Sequence, residues 1–295
     1  MDSRLESFLV VCKHLSYTKA AEELCLTQPA VTQHMQFLEK QYQCKLFTYA
    51  NKRLSLTKAG ELLYKYAQHV KTSERSIAEK ISELNQKKKS IRFAATMTIG
   101  EFTLAPLMKK LIKTFSEYNM TMYVDNTETI LKMLRSGEIH FALVEGLFNK
   151  ADFSSRLYKL ADFILTASSR HPLHEQNNVY LNDLINETLV IREKGSGSRE
   201  VLERGLYDKN FTLESFNNII EIGNVNVIKQ LVKDGIGISF MYKDAALNDI
   251  RNGSLVAIDI ADFVLKREFN FVYQDHDLDK KEIDQFFSFF ITNLD

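Results

Sequence analysis

The sequence predicts an α/β protein that carries an all-α, winged helix-turn-helix module at its N-terminus. Three patterns predict it. Residues 16–60 read SYTKAAEELCLTQPAVTQHMQFLEKQYQCKLFTYANKRLSLTKAG, two short helix patterns joined by a tight turn and closed by a basic loop. A single long helix pattern follows, with apolar residues seven apart. From Ile91 onward short β-rich runs alternate with helical ones, the order that builds a parallel sheet covered by helices.

Leu5, Phe8, Leu9, Cys12 and Leu15 lie on one helical stripe and make the first helix. Thr18 is placed to cap a short second helix whose inner face is Ala20, Ala21 and Leu24. The small alanines let another helix cross closely. Thr27 is a good N-cap, and Pro29 fits the first turn, where its missing N–H is not needed. The third helix, Gln28 to Tyr42, buries Val31, Met35 and Leu38 and turns Gln28, Thr32, Gln33 and Gln36 outward. Amides and hydroxyls near a helix start can read base edges in a major groove, and the helix start itself favours a phosphate. The same helices also fit an ordinary bundle. The candidate contacts to double-stranded DNA are Thr18, Thr27, Gln28, Pro29, Thr32, Gln33 and Gln36, with Pro29 positioning rather than donating. Lys52 and Arg53 in the wing should meet phosphate or the minor groove.

After Gly60 a helix runs to about Gln86. Leu63, Val70, Ile77 and Leu84 recur along it, with Tyr66, Ala67 and Ile81 between them and a break at Ser73 and Glu74. Such a seam needs a partner, most simply a second copy in a homodimer or homotetramer; the alternative is packing on its own body. Lys87-Lys88-Lys89-Ser90 reads as a solvated hinge.

In the body, strands are expected at Ile91–Ala95, Met120–Asp125, Phe141–Glu145, Phe163–Ser168, Leu189–Glu193, Ile219–Ile222, Ile236–Tyr242, Leu255–Ile258 and Glu268–Tyr273. Helices are expected at Leu104–Tyr118, Thr127–Ser136, Arg199–Lys209, Val225–Asp234 and Ile283–Leu294, the last with Phe286, Phe287, Phe290 and Ile291 inward.

The order A-A-x-x-L, T-Q-P-A-V-T, L-E, L-F, K-R, L-T-x-A-G resembles the amino-terminal signature of LysR-type transcriptional regulators, and the remaining length suits that family. The resemblance implies a periplasmic-binding-protein-like effector domain of two α/β subdomains. It divides the chain into a winged helix-turn-helix domain at 1–60, a linker helix and hinge at 58–90, and an effector-binding domain at 91–295. Subdomain I would be 91–162 with 267–295, and subdomain II 163–266, with crossings near Ala161–Phe163 and Phe263–Glu268. RNA polymerase is the further partner this implies. The family usually has Gly near Gln43 and Arg near Tyr49, so Tyr49 leaves out one basic contact of the wing.

Ligands of open α/β sheets collect beyond the carboxyl ends of strands. Four loops there can hold a small molecule. Ala95–Gly100 offers Thr96, Thr98 and Ile99 with free backbone N–H groups; capping by Thr98 alone also explains it. Asn126 and Thr127 could face the same cleft or simply cap a helix. Gly195, Ser196, Gly197, Ser198 and Arg199 form a Gly/Ser turn at a helix start, suited to an anion nest, with Arg192 or Arg199 adding charge. Its spacing is not that of a Walker A loop. Asn224 could cap its helix or reach the cleft. The glycines of 235–237 suit tight packing. The third loop and the Asn-Thr-Glu segment look like the family branch that regulates carbon-dioxide fixation and sulfur assimilation, whose effectors tend to be small anions. Asp125 replaces a glycine common in that branch.

Composition is that of an ordinary globular protein of about two domains. Of 38 basic and 38 acidic residues, 15 and 9 fall in residues 1–90, leaving 23 and 29 for the rest. A basic module beside an acidic body suits phosphate contact at one end. Cys12 and Cys25 sit at apolar helical positions and no CxxC pair occurs, which speaks against a zinc site or a disulfide framework. His171 and His174 lack the Glu of a zincin, and no nucleophile elbow is present. No metal, cofactor or catalysis is expected. Met1-Asp2-Ser3-Arg4 opens no signal peptide and no apolar run spans a bilayer, so a cytoplasmic protein without membrane contact is expected. The alternatives are an α/β binding protein or enzyme with an accessory DNA-binding module, and an architectural DNA binder.

Overall fold

The computed structural model describes residues 1–50, 53–83, 88–274 and 280–294, in two compact units, 1–86 and 87–295.

The first unit starts with α1 (Ser3–His14), α2 (Tyr17–Glu23) and α3 (Gln28–Tyr42). Asp2 caps α1 by accepting from Arg4 N at 2.8 Å. Ser16, not Thr18, caps α2, accepting from Lys19 N at 3.3 Å. The helix begins early because Tyr17 turns inward and meets the Phe47 ring edge-on at 6.0 Å. Cys25 is not on a helical stripe either: it is exposed, with φ 54° in the turn that reverses the chain between α2 and α3. Thr27 caps α3 by accepting from Ala30 N. Gln43 ends α3 at φ 53°, a left-handed conformation that favours glycine. Glycine is the residue that the resemblance implies there.

β1 (Phe47–Ala50) and β2 (Arg53–Leu56) form the antiparallel wing, in register Phe47↔Leu56 to Ala50↔Arg53. Thr57 Oγ1 donates to Lys45 O and accepts from Gly60 N, opening α4 (Lys58–Glu83). A Cβ on Gly60 would stand 2.1 Å from Leu46 O, which explains the glycine of the Leu-Thr-Lys-Ala-Gly run. Phe8, Val11, Ala20, Val31, Met35, Leu38 and Leu46 form the core, and Leu63 and Ala67 of α4 complete it. That corrects the expected seam. Leu63 is 7% exposed and belongs to its own module. The outward apolar stripe of α4 starts at Leu62 and Tyr66 and continues at Ile77 and Ile81, all more than half exposed. Val70 is half-buried, and Leu84 lies outside the described residues.

The second unit opens with β3 (Lys89–Thr96), so Lys89 and Ser90 are strand residues rather than hinge. They pair with Tyr118 and Asn119. The expected helix over 104–118 is broken. A π-helical turn covers Ile99–Leu104, a 3-10 turn holds Pro106, and α5 is only Met108–Thr114. Proline supplies no N–H to a helix interior, and it divides the run. β4 (Tyr118–Asp125), α6 (Thr127–Arg135) and β5 (Phe141–Val144) complete the βαβ pattern, with β3 parallel to both strands.

β6 is a 15-residue strand, Ser154–Ser168, nine residues longer at its start than the sequence pattern indicated. β7 (Thr188–Ile191), α7 (Gly197–Tyr207), β8 (Asn218–Glu221), α8 (Val225–Lys233) and β9 (Ser239–Tyr242) follow. The unforeseen α9 (Lys243–Arg251) leads to β10 (Leu255–Ile258), β11 (Leu265–Tyr273) and α10 (Lys280–Thr292). β9 starts at Ser239 because Gly235 and Ile236 form an exposed turn after α8 and Ile238 bridges to Leu189 of β7; a Cβ on Gly237 would meet Thr188 O at 2.2 Å.

The main sheet has the order β10-β6-β11-β5-β3-β4, with β9 also on β6. β6 pairs antiparallel with β11 through Phe163, then with β9 from Phe163 and with β10 from Leu165. The chain thus passes between two α/β subdomains on β6 and returns on β11. Stacked rings hold the first subdomain together: Phe93 on Phe141 at 5.1 Å, Phe141 on Phe271 at 4.8 Å, and Phe115 on Phe286 at 4.3 Å. On α10, Phe289 is buried where Ile291 was expected, Phe287 is half-buried, and Ile291 faces out.

Candidate DNA interface and effector cleft

The start of α3 presents its polar residues as a set. Thr27, Gln28, Pro29, Gln33 and Gln36 are exposed, and Thr32 is half-exposed. Gln28 Nε2 donates to Thr32 Oγ1 at 2.8 Å, which orients the amide one helical turn below. Thr27 Oγ1 is occupied as the cap. Thr18, Gln28 and Arg53 line one concavity of about 560 Å³ between α2, α3 and the wing, together with Tyr49. Tyr49 stands out from β1 at 73% exposure and was not selected from the sequence, because an aromatic in a basic loop carries no charge signal. Lys52 lies outside the described residues. Two interactions missed from the sequence fix α3 against α1: His34 Nδ1 bonds Ser7 Oγ at 2.8 Å, and the Arg4 guanidinium lies 3.7 Å over the Phe37 ring. Burial pushes the Cys12 thiol up to about 12, leaving it unreactive.

In the second unit the loops after β3, β5 and β7 meet at the starts of α6 and α7. Thr96 and Thr98 are buried, and Ile99 is fully buried in the apolar core. Thr98 Oγ1 donates to Glu145 Oε1 at 3.1 Å, and Thr127 Oγ1 to Glu145 O at 3.1 Å. The backbone N–H of Glu128 donates to Gly195 O at 3.3 Å. A Cβ on Gly197 would lie 2.5 Å from both Glu145 O and Thr127 Oγ1, so only glycine lets the two loops close. Ser196 and Ser198 are buried, their hydroxyls 2.9 Å apart.

Other candidates are occupied by local structure. Asn126 accepts from Thr129 N, and Asn224 from Asn226 N and Val227 N; both act as helix caps. The Arg199 guanidinium is bound by Glu203, Glu221 and the carbonyl of Arg192. It locks α7 to β8 and has little left for a ligand. The cation aimed at the cluster is Arg192. Its Nε and Nη2 are held by the Glu193 carboxylate at 2.8 and 2.9 Å, and Nη2 also meets Met97 Sδ. Glu145 was missed, although an acid at the end of the apolar run Phe141–Val144 is itself a signal. It is 1% exposed, and burial pushes its carboxyl up to about 8, against the Thr98 hydroxyl and the Arg192 charge, with Asp244 adding to the rise. Among the described residues Thr96 Oγ1, Glu145 Oε2 and Arg192 Nη1 are buried without a hydrogen-bond partner.

Among the described residues no group of His, Cys, Asp or Glu is placed to hold a metal ion, and no helix is long and apolar enough to cross a membrane.

Residues 3–61 match the bacterial regulatory helix-turn-helix protein, lysR family, and residues 84–295 match the LysR substrate binding domain. The chain is 31% identical over 270 residues to the HTH-type transcriptional regulator CysL of Bacillus subtilis (strain 168), covering 91% of this chain and 89% of that one. It is 29% identical over 273 residues to the RuBisCO operon transcriptional regulator of Allochromatium vinosum, covering 92% and 89%. The Synechocystis PCC6803 CcmR regulatory domain, solved in complex with 2-PG, shares its fold with a TM-score of 0.62 at 21% identity, covering 69% of this chain and 96% of that one. These relatives fit the branch that the glycine-serine loop resembles. With the family's DNA-binding module at one end and its small-molecule domain over the rest, the chain belongs to the LysR family of DNA-binding transcriptional regulators and is not an enzyme.

Proposed function

We propose that this regulator binds an inverted repeat as a homodimer or homotetramer and changes geometry when a small oxyanion occupies the cleft between its two subdomains. The observation that carries the reading is the cluster of unpartnered polar atoms on Thr96, Glu145 and Arg192, one from the end of β3 and one from each of the loops after β5 and β7. Closure of those loops over a ligand would favour one arrangement of the crossing strands β6 and β11, and through it one DNA-bound state. The 2-PG complex of the CcmR domain supports a small anion as the kind of effector. Gln28, Thr32, Gln33 and Gln36 read or position bases, Arg53 and the start of α3 meet phosphate, and Leu62, Tyr66, Ile77 and Ile81 face a second copy. The body so described works in the cytoplasm with RNA polymerase as its partner.

Footprinting on the protein's own upstream intergenic DNA, against scrambled DNA at physiological salt, tests the first half. A protected two-fold repeat is expected, with a pattern altered by an active metabolite. Equal binding to both DNAs would leave only an architectural binder.

A further inference from the structure

The cleft cluster has a charge problem that its own geometry resolves. The cation that bears directly on Glu145, Arg192, already has a carboxylate; Arg267 of β11, which donates to Lys266 O, bears on Tyr242. Arg192 is held by Glu193, Arg199 by Glu203 and Glu221, and Lys159 by Asp244. The charged and titratable groups that Glu145 feels directly are Arg192 from the loop after β7, Tyr242 from β9 and Asp244 from α9; the acid at the start of α6, Glu128, is paired with Lys132. An ionised Glu145 beside a bound anion would put two negative charges against one guanidinium, that of Arg192, which already carries Glu193. A protonated Glu145 removes the repulsion and supplies a donor. Its Oε1 already accepts from Thr98, which leaves the unpartnered Oε2 to carry the proton.

We propose that Glu145 enters the effector complex as the neutral acid and donates from Oε2 to an oxyanion that Arg192 Nη1 and Thr96 Oγ1 also hold. The proposal rests on this cleft being the effector site. Binding is then linked to a proton: at alkaline pH the complex takes one up from solvent, and no other bond is made or broken. In the free protein burial pushes the carboxyl up to about 8, and a bound anion moves that value higher still. Below about 8 the acid is protonated in both states and affinity is level. Above it, affinity falls by up to about tenfold per pH unit.

The test is calorimetric titration of the full-length protein with sulfate, whose charge is constant between about pH 6.5 and 9.5, and then with 2-PG. Buffers of different ionisation enthalpy count the protons. The expected result is level affinity at neutral pH, a fall in alkali, and uptake approaching one proton per anion there. Glu145→Gln keeps a donor without a charge; it should bind within about threefold of the parent at pH 7 and lose the alkaline fall. Anion binding that is insensitive to pH, or abolished in a folded Glu145→Gln protein, overturns the proton-donating role while the cleft still stands. Binding that tightens in alkali and is lost in the Gln variant overturns it in favour of an ionised Glu145 paired with a ligand cation. Arg192→Gln locates the site: if neither anion binds at any pH, or binding survives that change undiminished, the cleft reading falls as well.

Discussion

Thr98 donates a 3.1 Å hydrogen bond to Oε1 of Glu145, joining the loop after β3 to the loop after β5 beneath the start of α7. Replacing the hydroxyl by a methyl in Thr98→Val leaves one more lone pair of a buried acid unsatisfied. The destabilisation should be about 1–2 kcal/mol in denaturant unfolding at pH 7. Unchanged stability would mean the loops relax around the gap.

Glu145 also gives the fold a pH dependence. Its folded-state value, raised by burial to about 8, lies above that of the exposed carboxyl in the unfolded chain, so the folded protein binds the proton more tightly. Stability is therefore fully favoured below the unfolded value and declines as pH rises through it toward 8, by at most roughly 5 kcal/mol. Glu145→Gln should flatten that decline and melt above the parent at pH 8.5, as thermal unfolding across pH will show.

Leu63 and Ile77 lie along the same helix yet should behave differently. Leu63→Ala opens a cavity in the DNA-binding module and should destabilise it by about 2–3 kcal/mol. Ile77, 54% exposed, touches little of its own module. Ile77→Lys should leave the circular dichroism spectrum intact and weaken self-association at least about tenfold in sedimentation. Unaltered association would remove the outward stripe from the dimer interface.

Gln43 holds a left-handed conformation at the end of α3. Gln43→Gly should stabilise the protein by roughly 1 kcal/mol, read as a higher denaturant midpoint with unchanged slope. A destabilised variant would show that the Gln43 side chain contributes more than its backbone strain removes.

Gln28 and Arg53 share a concavity but should fail in different ways. Gln28→Ala should relax base preference at one position of the half-site by about 1–3 kcal/mol. Arg53→Ala should weaken every sequence alike and flatten the salt dependence by about 0.9 in the log–log slope for each phosphate it no longer neutralises. Competition binding over a salt series distinguishes the two.

The DNA-binding module was legible because its signals are local. Thr27, Pro29 and the spacing of Val31, Met35 and Leu38 place α3 at Gln28–Tyr42, where the structure has it. Heptad spacing misled at Leu63, because a stripe does not reveal which of two bodies it faces. The first half of β6 escaped notice because its burial alternates irregularly through Leu157 and Leu160, which point outward. In the second unit, small polar residues after strands pointed to the region where the unpartnered atoms of Thr96, Glu145 and Arg192 lie. The sequence could not show that Arg199 is consumed by Glu203 and Glu221 while Arg192 keeps one edge of its guanidinium open. Those are long-range pairings that no spacing rule encodes.

The return strand has a consequence for synthesis. β11 lies between β6 and β5, so the first subdomain has no continuous sheet until residues 265–273 have been made. The helix-turn-helix, built from local contacts, can fold as soon as it leaves the ribosome. A nascent or prematurely terminated chain would therefore grip DNA before it could hear the metabolite. Message damage late in the reading frame would yield a deaf competitor for the operator rather than an inert fragment, and quality control of the C-terminal strand is part of what keeps the switch responsive.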